Sequence, residues 1–246
     1  MQRFKNDVVI VTGGGSGIGR AAAKGFAAEG ARVVVADLNG EACEDAAREI
    51  LDQGGTAIPA QCDVAVDDDV VRMVEATVAT FDRIDILFNN AGIAPRGTVV
   101  DTPEEVWDRV MAVDLKSIFL CSKHVVPLMQ ANGGGVIVNT GSNCSLHGYP
   151  NLAVYTAAKG GVLMLTKQMA ADYKKDKIRV TCVCPGNVLT PMTEQVWRDE
   201  GRDPATVNKA NFQTPEEIAD AVLFLASDAA RQISGVALPV TGVHPW

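Results

Sequence analysis

Eight consecutive residues near the start restrict the fold more than any other part of the chain: Thr12, Gly13, Gly14, Gly15, Ser16, Gly17, Ile18 and Gly19. They follow an apolar, β-branched run and open a helical pattern. A strand that passes through glycines into a helix begins a βαβ unit. Glycine permits the tight turn, lets the backbone approach a pyrophosphate and packs helix against strand. The free N–H groups at the helix start then face an anion. The spacing is G-x-x-x-G-x-G, at Gly13, Gly17 and Gly19, rather than G-x-G-x-x-G. A glycine-rich loop with no ligand is the competing interpretation. The strand before, the helix after and an acid closing the next strand all count against it.

Further strands and helices follow in alternation. Strands are expected at 7–12, 32–36, 57–60, 85–88, 136–139, 178–184 and 236–240. Most are continuous apolar runs, the pattern of parallel strands buried on both faces. Helices are expected at 17–29, 41–53, 67–81, 102–129, 154–173 and 215–227. Two have explicit starts: Thr102 and Thr214 at the N-cap, each followed by proline and then two glutamates. Strict alternation implies right-handed crossovers. The expected fold class is α/β, a single Rossmann-type doubly wound parallel sheet of about seven strands with helices on both faces. With 246 residues, 47% of them hydrophobic, the chain suits one domain, 1–246, rather than two. Segment 190–212 is polar and mixes Met192, Trp197 and Phe212 with charges after a strand end. It reads as a lid, because ligands bind at the carboxyl edge of such sheets.

The balance of 22 basic and 30 acidic residues, a net charge of −8, disfavours nucleic acid or anionic membrane as partner. Six cysteines are scattered without a C-x-x-C pair, so neither a metal site nor a redox dithiol is indicated. Cys182 and Cys184 would face one side of a strand as core thiols. The start is polar and enters a strand, unlike a secretory signal, and no apolar run approaches the ~18 residues of a membrane span. A cytoplasmic protein is expected.

Asp37 lies 18 residues after Gly19 and closes an apolar run. A carboxylate there binds ribose hydroxyls and repels a 2′-phosphate, and neighbouring Leu38 and Asn39 supply no cation. NAD is therefore expected over NADP. Asp63 and Val64 follow the third strand, and Asn89, Asn90, Ala91 and Gly92 the fourth. These are crevice positions in an open sheet, although turn chemistry alone also accounts for each.

Tyr155 and Lys159 are four residues apart on a helix and share a face. A phenol ordinarily titrates near ~10. A nearby ammonium stabilises the phenolate and lowers that value, which makes a proton-transfer group. Small flanking residues, Ala157, Ala158, Gly160 and Gly161, allow close approach of a cofactor or another helix. Ser142, 13 residues before Tyr155, is placed to hydrogen-bond a substrate oxygen, with Ser145 the alternative. Of the histidines, His124 reads as structural, His244 lies in the tail, and His147 falls between Ser142 and Tyr155.

With these residues together, the chain resembles the short-chain dehydrogenase/reductase family from Val8 to about Val240. The matching motifs are the glycine cluster, Asn89 to Gly92, Ser142, Tyr155-x-x-x-Lys159 and the pair Pro185 and Gly186. The resemblance implies an NAD(H)-dependent oxidoreductase that interconverts a secondary alcohol and its ketone. In it Tyr155 is the acid–base, Lys159 lowers its pKa and binds the nicotinamide ribose, and Ser142 orients the substrate. Pro185, Gly186, Val188 and Thr190 would hold the nicotinamide end. A pocket of Ser142, Cys144, His147, Tyr149, Tyr155, Asn187, Met192 and Trp197 would suit a modest ketone or alcohol, including polyols, sugars and cyclic diols. A homotetramer is implied, built through segments 102–129 and 154–173. The alternatives are a 3-oxoacyl-carrier-protein reductase and a non-catalytic NAD-binding regulatory protein.

The chain departs from the family in two places. Relatives carry asparagine in N-x-x-[GS], where this chain reads Val113, Asp114, Leu115, Lys116, Ser117. The family asparagine places a backbone carbonyl that holds a water beside the lysine. Asp114 keeps that carbonyl and adds a charge, so it joins the catalytic set with activity expected to survive. The end reads Val240, Thr241, Gly242, Val243, His244, Pro245, Trp246, where relatives often read V-D-G-G. Trp246 would touch a neighbouring subunit or fray.

Overall fold

The structure, a computed structural model, describes residues 2–242; Val243, His244, Pro245 and Trp246, and with them the expected role of the tail, lie outside the described residues. The order is β1 (Val8–Thr12), α1 (Gly17–Ala28), β2 (Arg32–Asp37), α2 (Gly40–Asp52), β3 (Thr56–Gln61), α3 (Asp67–Phe81), β4 (Ile86–Asn89) and α4 (Glu104–Val110). A π-helical turn, Met111–Lys116, joins α4 to α5 (Ser117–Ala131). Then follow β5 (Gly135–Thr140), α6 (Ala153–Asp172), β6 (Ile178–Pro185), α7 (Pro191–Asp199), α8 (Pro215–Ala226) and β7 (Ala237–Val240).

The seven strands form one parallel sheet ordered β3-β2-β1-β4-β5-β6-β7. This is the doubly wound fold expected from the alternation. The chain starts mid-sheet, winds outward to β3, then crosses back to β4, so winding reverses between β1 and β4. Strand residues alternate between two cores. Val9, Val11, Val33 and Val35 pack on α1, α2 and α8, whereas Val8, Ile10, Val34 and Leu87 pack on α3, α5 and α6. Both faces are covered, which is why these strands carry no polar alternation. The edge strands β3 and β7 each contain a proline, Pro59 and Pro239, tolerated where a full ladder is not required.

The expected helix 102–129 differs most from its observed form. Thr102 does not cap it: its hydroxyl donates to the Thr98 carbonyl at 2.6 Å, and Pro103 takes the N-cap position. The π turn then interrupts the helix at 111–116. Thr214 does cap α8, in a capping box with Glu217. The segment 190–212 contains a helix, α7, N-capped by Thr190. Among the described residues no helix is long and apolar enough to cross a membrane.

Phe26 on α1 is fully buried and meets Phe4 edge-on at 4.9 Å. Phe26→Ala is expected to lower the unfolding free energy by about 3–5 kcal/mol, read from urea denaturation with an unchanged slope.

Candidate active site

A cavity of about 790 Å³ opens at the carboxyl ends of the strands, over the β1/β4 reversal. Ligands bind there in open α/β sheets. At one end the glycine loop leaves β1. Gly13 and Gly17 have φ of +62° and +50°, the left-handed region that disfavours a side chain. A Cβ on Gly19 would lie 2.0 Å from the Gly13 carbonyl, so Gly19 sits behind the loop and closes the turn rather than facing the cavity. Asn90 ties the loop to β4: its side-chain amide donates to the Thr12 carbonyl at 3.1 Å, and its N–H to the Thr12 hydroxyl at 2.9 Å. Ser16 precedes α1 without capping it, so the first-turn N–H groups have no side-chain partner, and Ser16, Gly17 and Ile18 line the cavity. This cradle fits a pyrophosphate.

Asp37 ends β2 beside that loop. Its carboxylate accepts from the N–H groups of Gly15 and Asn39, both at 3.1 Å, and lines the cavity with exposed Leu38. The next helix is capped by Asn39 rather than by Asp37. Asp63 and Val64 line the same end, and Asp63 pairs with Arg109 at 3.2 Å. Asn90, Ala91 and Gly92 continue the wall.

At the other end α6 presents Tyr155 in its first turn and Lys159 one turn later. The Lys159 ammonium is buried. It donates to the Thr140 carbonyl at 2.9 Å, lies 3.2 Å from Asp114 Oδ2 and sits 5.6 Å from the centroid of the Tyr155 ring. Asp114, fully buried, also accepts from the Ile93 N–H at 2.9 Å. Ser142 caps a short turn, Asn143–Ser145; its hydroxyl donates to the Asn143 side-chain oxygen at 3.1 Å, and Ser142 lines the cavity together with Tyr155. Behind these groups runs a buried polar chain: Asn89 donates to Asn139 at 2.9 Å, and Asn139 to Thr166 at 2.9 Å. It ties β4 and β5 to α6 and so fixes the helix that carries Tyr155 and Lys159. Sequence reasoning missed Asn139 and Thr166. The available signal was a polar residue at the carboxyl ends of two adjacent apolar strands.

Pro185, Gly186, Val188 and Thr190 line the far wall, where β6 leads into α7. Thr190 caps α7, and Thr193 donates to the Val188 carbonyl at 2.7 Å. Gly17 approaches Thr190 closely enough that a Cβ there would contact its methyl at 3.2 Å.

A family model described as enoyl-(acyl carrier protein) reductase matches residues 13–243. A 2-(R)-hydroxypropyl-CoM dehydrogenase of Xanthobacter autotrophicus is 42% identical over 246 residues, covering 96% of this chain and 98% of its own. The chain belongs to the short-chain dehydrogenase/reductase family. It is an oxidoreductase, and the family binds a nicotinamide cofactor. A meso-2,3-butanediol dehydrogenase of Serratia marcescens is 41% identical over 242 residues, covering 98% and 95% of the two chains. Among solved structures, a 3-ketoacyl-(acyl-carrier-protein) reductase from Brucella melitensis complexed with NADH superposes with a TM-score of 0.88, at 34% identity over 98% of each chain.

Several family-derived pocket expectations are not met by the geometry. Trp197 does not face the cavity. Met192, Gln195, Val196 and Asp199 occupy that face of α7, and Trp197, on the opposite face, packs edge-on against Phe212 at 5.1 Å. Asn187 is exposed outside the cavity, its carbonyl held by the Gln213 N–H at 2.8 Å. Cys144 is buried within the turn that Ser142 caps, and Tyr149 accepts from the Asn143 amide at 3.1 Å; neither lines the cavity. His147 is exposed beyond the lining. Ile93, Ala94, Pro95 and Val106 supply apolar wall that sequence reasoning did not pick out.

Burial and neighbouring charges act on the Tyr155 phenol in opposing senses. Lys159 alone would draw the Tyr155 phenol below its ordinary value. In the structure burial pushes the phenol up, Lys159 pulls it down, and Asp114 reinforces burial, leaving a net upward direction. Burial also favours a neutral Lys159, but Asp114 and Tyr155 outweigh it and keep the ammonium charged.

Because a methyl on Gly19 has nowhere to go, Gly19→Ala is expected to weaken binding of the reduced nicotinamide cofactor at least about tenfold, roughly 1.4 kcal/mol. A fluorescence titration measures it.

Proposed function

We propose that this enzyme is an NAD(H)-dependent dehydrogenase that interconverts a compact, uncharged secondary alcohol and its ketone, with Tyr155 moving the proton. The observation that carries this reading is the convergence of the Tyr155 phenol, the Lys159 ammonium and the Ser142 hydroxyl on one cavity wall, across from a glycine cradle closed by the Asp37 carboxylate. A nicotinamide held by Pro185, Gly186, Val188 and Thr190 would supply or accept the hydride. Ser142 holds the substrate oxygen, and Tyr155 donates a proton to it in reduction or removes one in oxidation. Lys159 holds the ribose and faces the phenol.

Asp37 supports NAD over NADP, since a 2′-phosphate would meet a carboxylate. Arg20, just after the glycines, is held by Glu49 at 2.7 Å rather than offered to a phosphate. The substrate reading rests on the lining. Its two cationic side chains are each paired with a carboxylate, Lys159 with Asp114 and Arg109 with Asp63, so neither is left to bind an anionic substrate. The remaining wall is mostly apolar. We read the chain as one catalytic domain in which segment 190–212 closes over the substrate. Six free, buried thiols fit a reducing cytoplasm.

A homotetramer is supported by an apolar face on α4, α5 and α6. Trp107, Phe119 and Met164 are exposed there beside a groove of about 520 Å³. The small-residue face is partly used within the chain: Ala158 is buried against Val110 and Val154, and Gly161 lies against Leu115.

Tyr155→Phe is expected to cut turnover about 100- to 10,000-fold with NADH still bound; unchanged turnover would sink the mechanism. Asp37→Ser combined with Leu38→Arg should move preference toward NADP by more than about tenfold, a charge-assisted bond contributing ~1.5–3 kcal/mol. Steady-state kinetics with both cofactors measures this. Phe119→Lys should lower the solution mass found by light scattering, and a monomeric wild type would refute the tetramer.

A further inference from the structure

We infer that Asp114 is a positioning residue of this reaction, its carboxylate clamping the Lys159 ammonium in a buried pair that sets the pH at which Tyr155 exchanges its proton. The inference rests on the reading of Tyr155 as the acid–base.

Lys159 has three N–H donors. One goes to the Thr140 carbonyl at 2.9 Å, and Asp114 Oδ2 stands 3.2 Å from the same nitrogen. The ammonium is thus held between a carbonyl and a carboxylate. Asp114 is fixed in turn, because its other oxygen accepts from the Ile93 N–H. Its Oδ2 faces the ammonium at 3.2 Å as an ion pair by distance, without a formed hydrogen bond; burial pushes this carboxyl up, while Lys159 and the Ile93 N–H pull it down. The pair also fits its surroundings. Gly92 covers it, and a Cβ there would stand 3.1 Å from Asp114 Oδ2 and 3.4 Å from the lysine nitrogen. The π turn Met111–Lys116 delivers the side chain, carrying Val113 and Asp114 inward while Lys116 stays exposed. Such turns insert one residue into a helix and change which side chain faces inward.

The groups facing the phenol come from every neighbouring element. Lys159 is on its own helix, Ser142 and Cys144 come from the turn after β5, and Asp114 from the π turn; Cys182 and Cys184 of β6 face Lys159. Asp114 and Lys159 carry the full charges in this group. An amide at position 114 would leave the phenol facing a bare ammonium. The carboxylate instead offers it a pair of zero net charge, which stabilises a phenolate less. Tyr155 therefore keeps its proton to higher pH. That suits donation to a ketone near neutrality and moves alcohol oxidation to the alkaline side.

The test is the pH profile of kcat/KM for alcohol oxidation by wild type and Asp114→Asn, with NADH affinity measured alongside. Asparagine is isosteric and retains an acceptor for Ile93. The acidic limb is expected to move to lower pH by about one unit, a tenfold gain in rate on that limb. Profiles that coincide overturn the inference, as does a variant that loses turnover while Tyr155 ionises as before. Should the variant fail to fold, the tyrosinate difference absorbance of wild type against Tyr155→Phe, with NADH bound, decides. A midpoint on the alkaline side supports the inference, and a phenolate already formed at neutral pH overturns it. Tyr155→Phe also separates the two claims. If that variant keeps turnover, the acid–base reading falls. If it is inactive while the Asp114→Asn profile is unmoved, only the role of Asp114 falls.

Discussion

The reversal of winding between β1 and β4 is the constraint on which the rest depends. A parallel sheet sends every strand end to the same edge, and the reversal parts the loops that leave those ends. The cavity exists because β1 turns into α1 in one direction and β4 leaves in the other. Thr12 and Asn90, hydrogen-bonded across the gap, hold its two lips in register. The glycine loop, the Asp114 pair and the Ser142 turn all hang from that edge. Their spacing is inherited from the 4.7–4.9 Å interval between strands.

Burying a lysine and an aspartate costs more than leaving both in water unless the pair is well placed and further hydrogen-bonded. Here Thr140 and Ile93 hydrogen-bond the pair, and the polar chain from Asn89 to Thr166 ties the strands beneath it to α6. The same contacts join β4, β5, the π turn and α6. Stability at the catalytic end therefore rests on groups that also tune the chemistry, and a substitution there changes both.

Features set by short-range spacing were legible in the sequence. The glycine loop needs only a strand, a turn and a helix start, and Tyr155 and Lys159 share a face at any helical i, i+4 spacing. Asp37 was readable because a carboxylate at a strand end has one direction to point. Features that depend on helix phase were not. The side of α7 that faces the cavity is set by how a polar segment docks, which left Trp197 misplaced. The π turn shifts phase within an otherwise regular helix, so helical periodicity did not reveal that Asp114 would reach Lys159; only the likeness of Val113 to Ser117 to the family's asparagine motif put it near the lysine. Thr102 carried the signs of a cap, but a neighbouring carbonyl competed for its hydroxyl.

The two prolines at the sheet margins have a consequence for how these molecules coexist. Pro59 on β3 and Pro239 on β7 each remove a main-chain donor from an outermost strand. A foreign strand approaching either rim would find its ladder broken, and edge-to-edge association, the usual route from a flat sheet to fibres, is blunted on both sides.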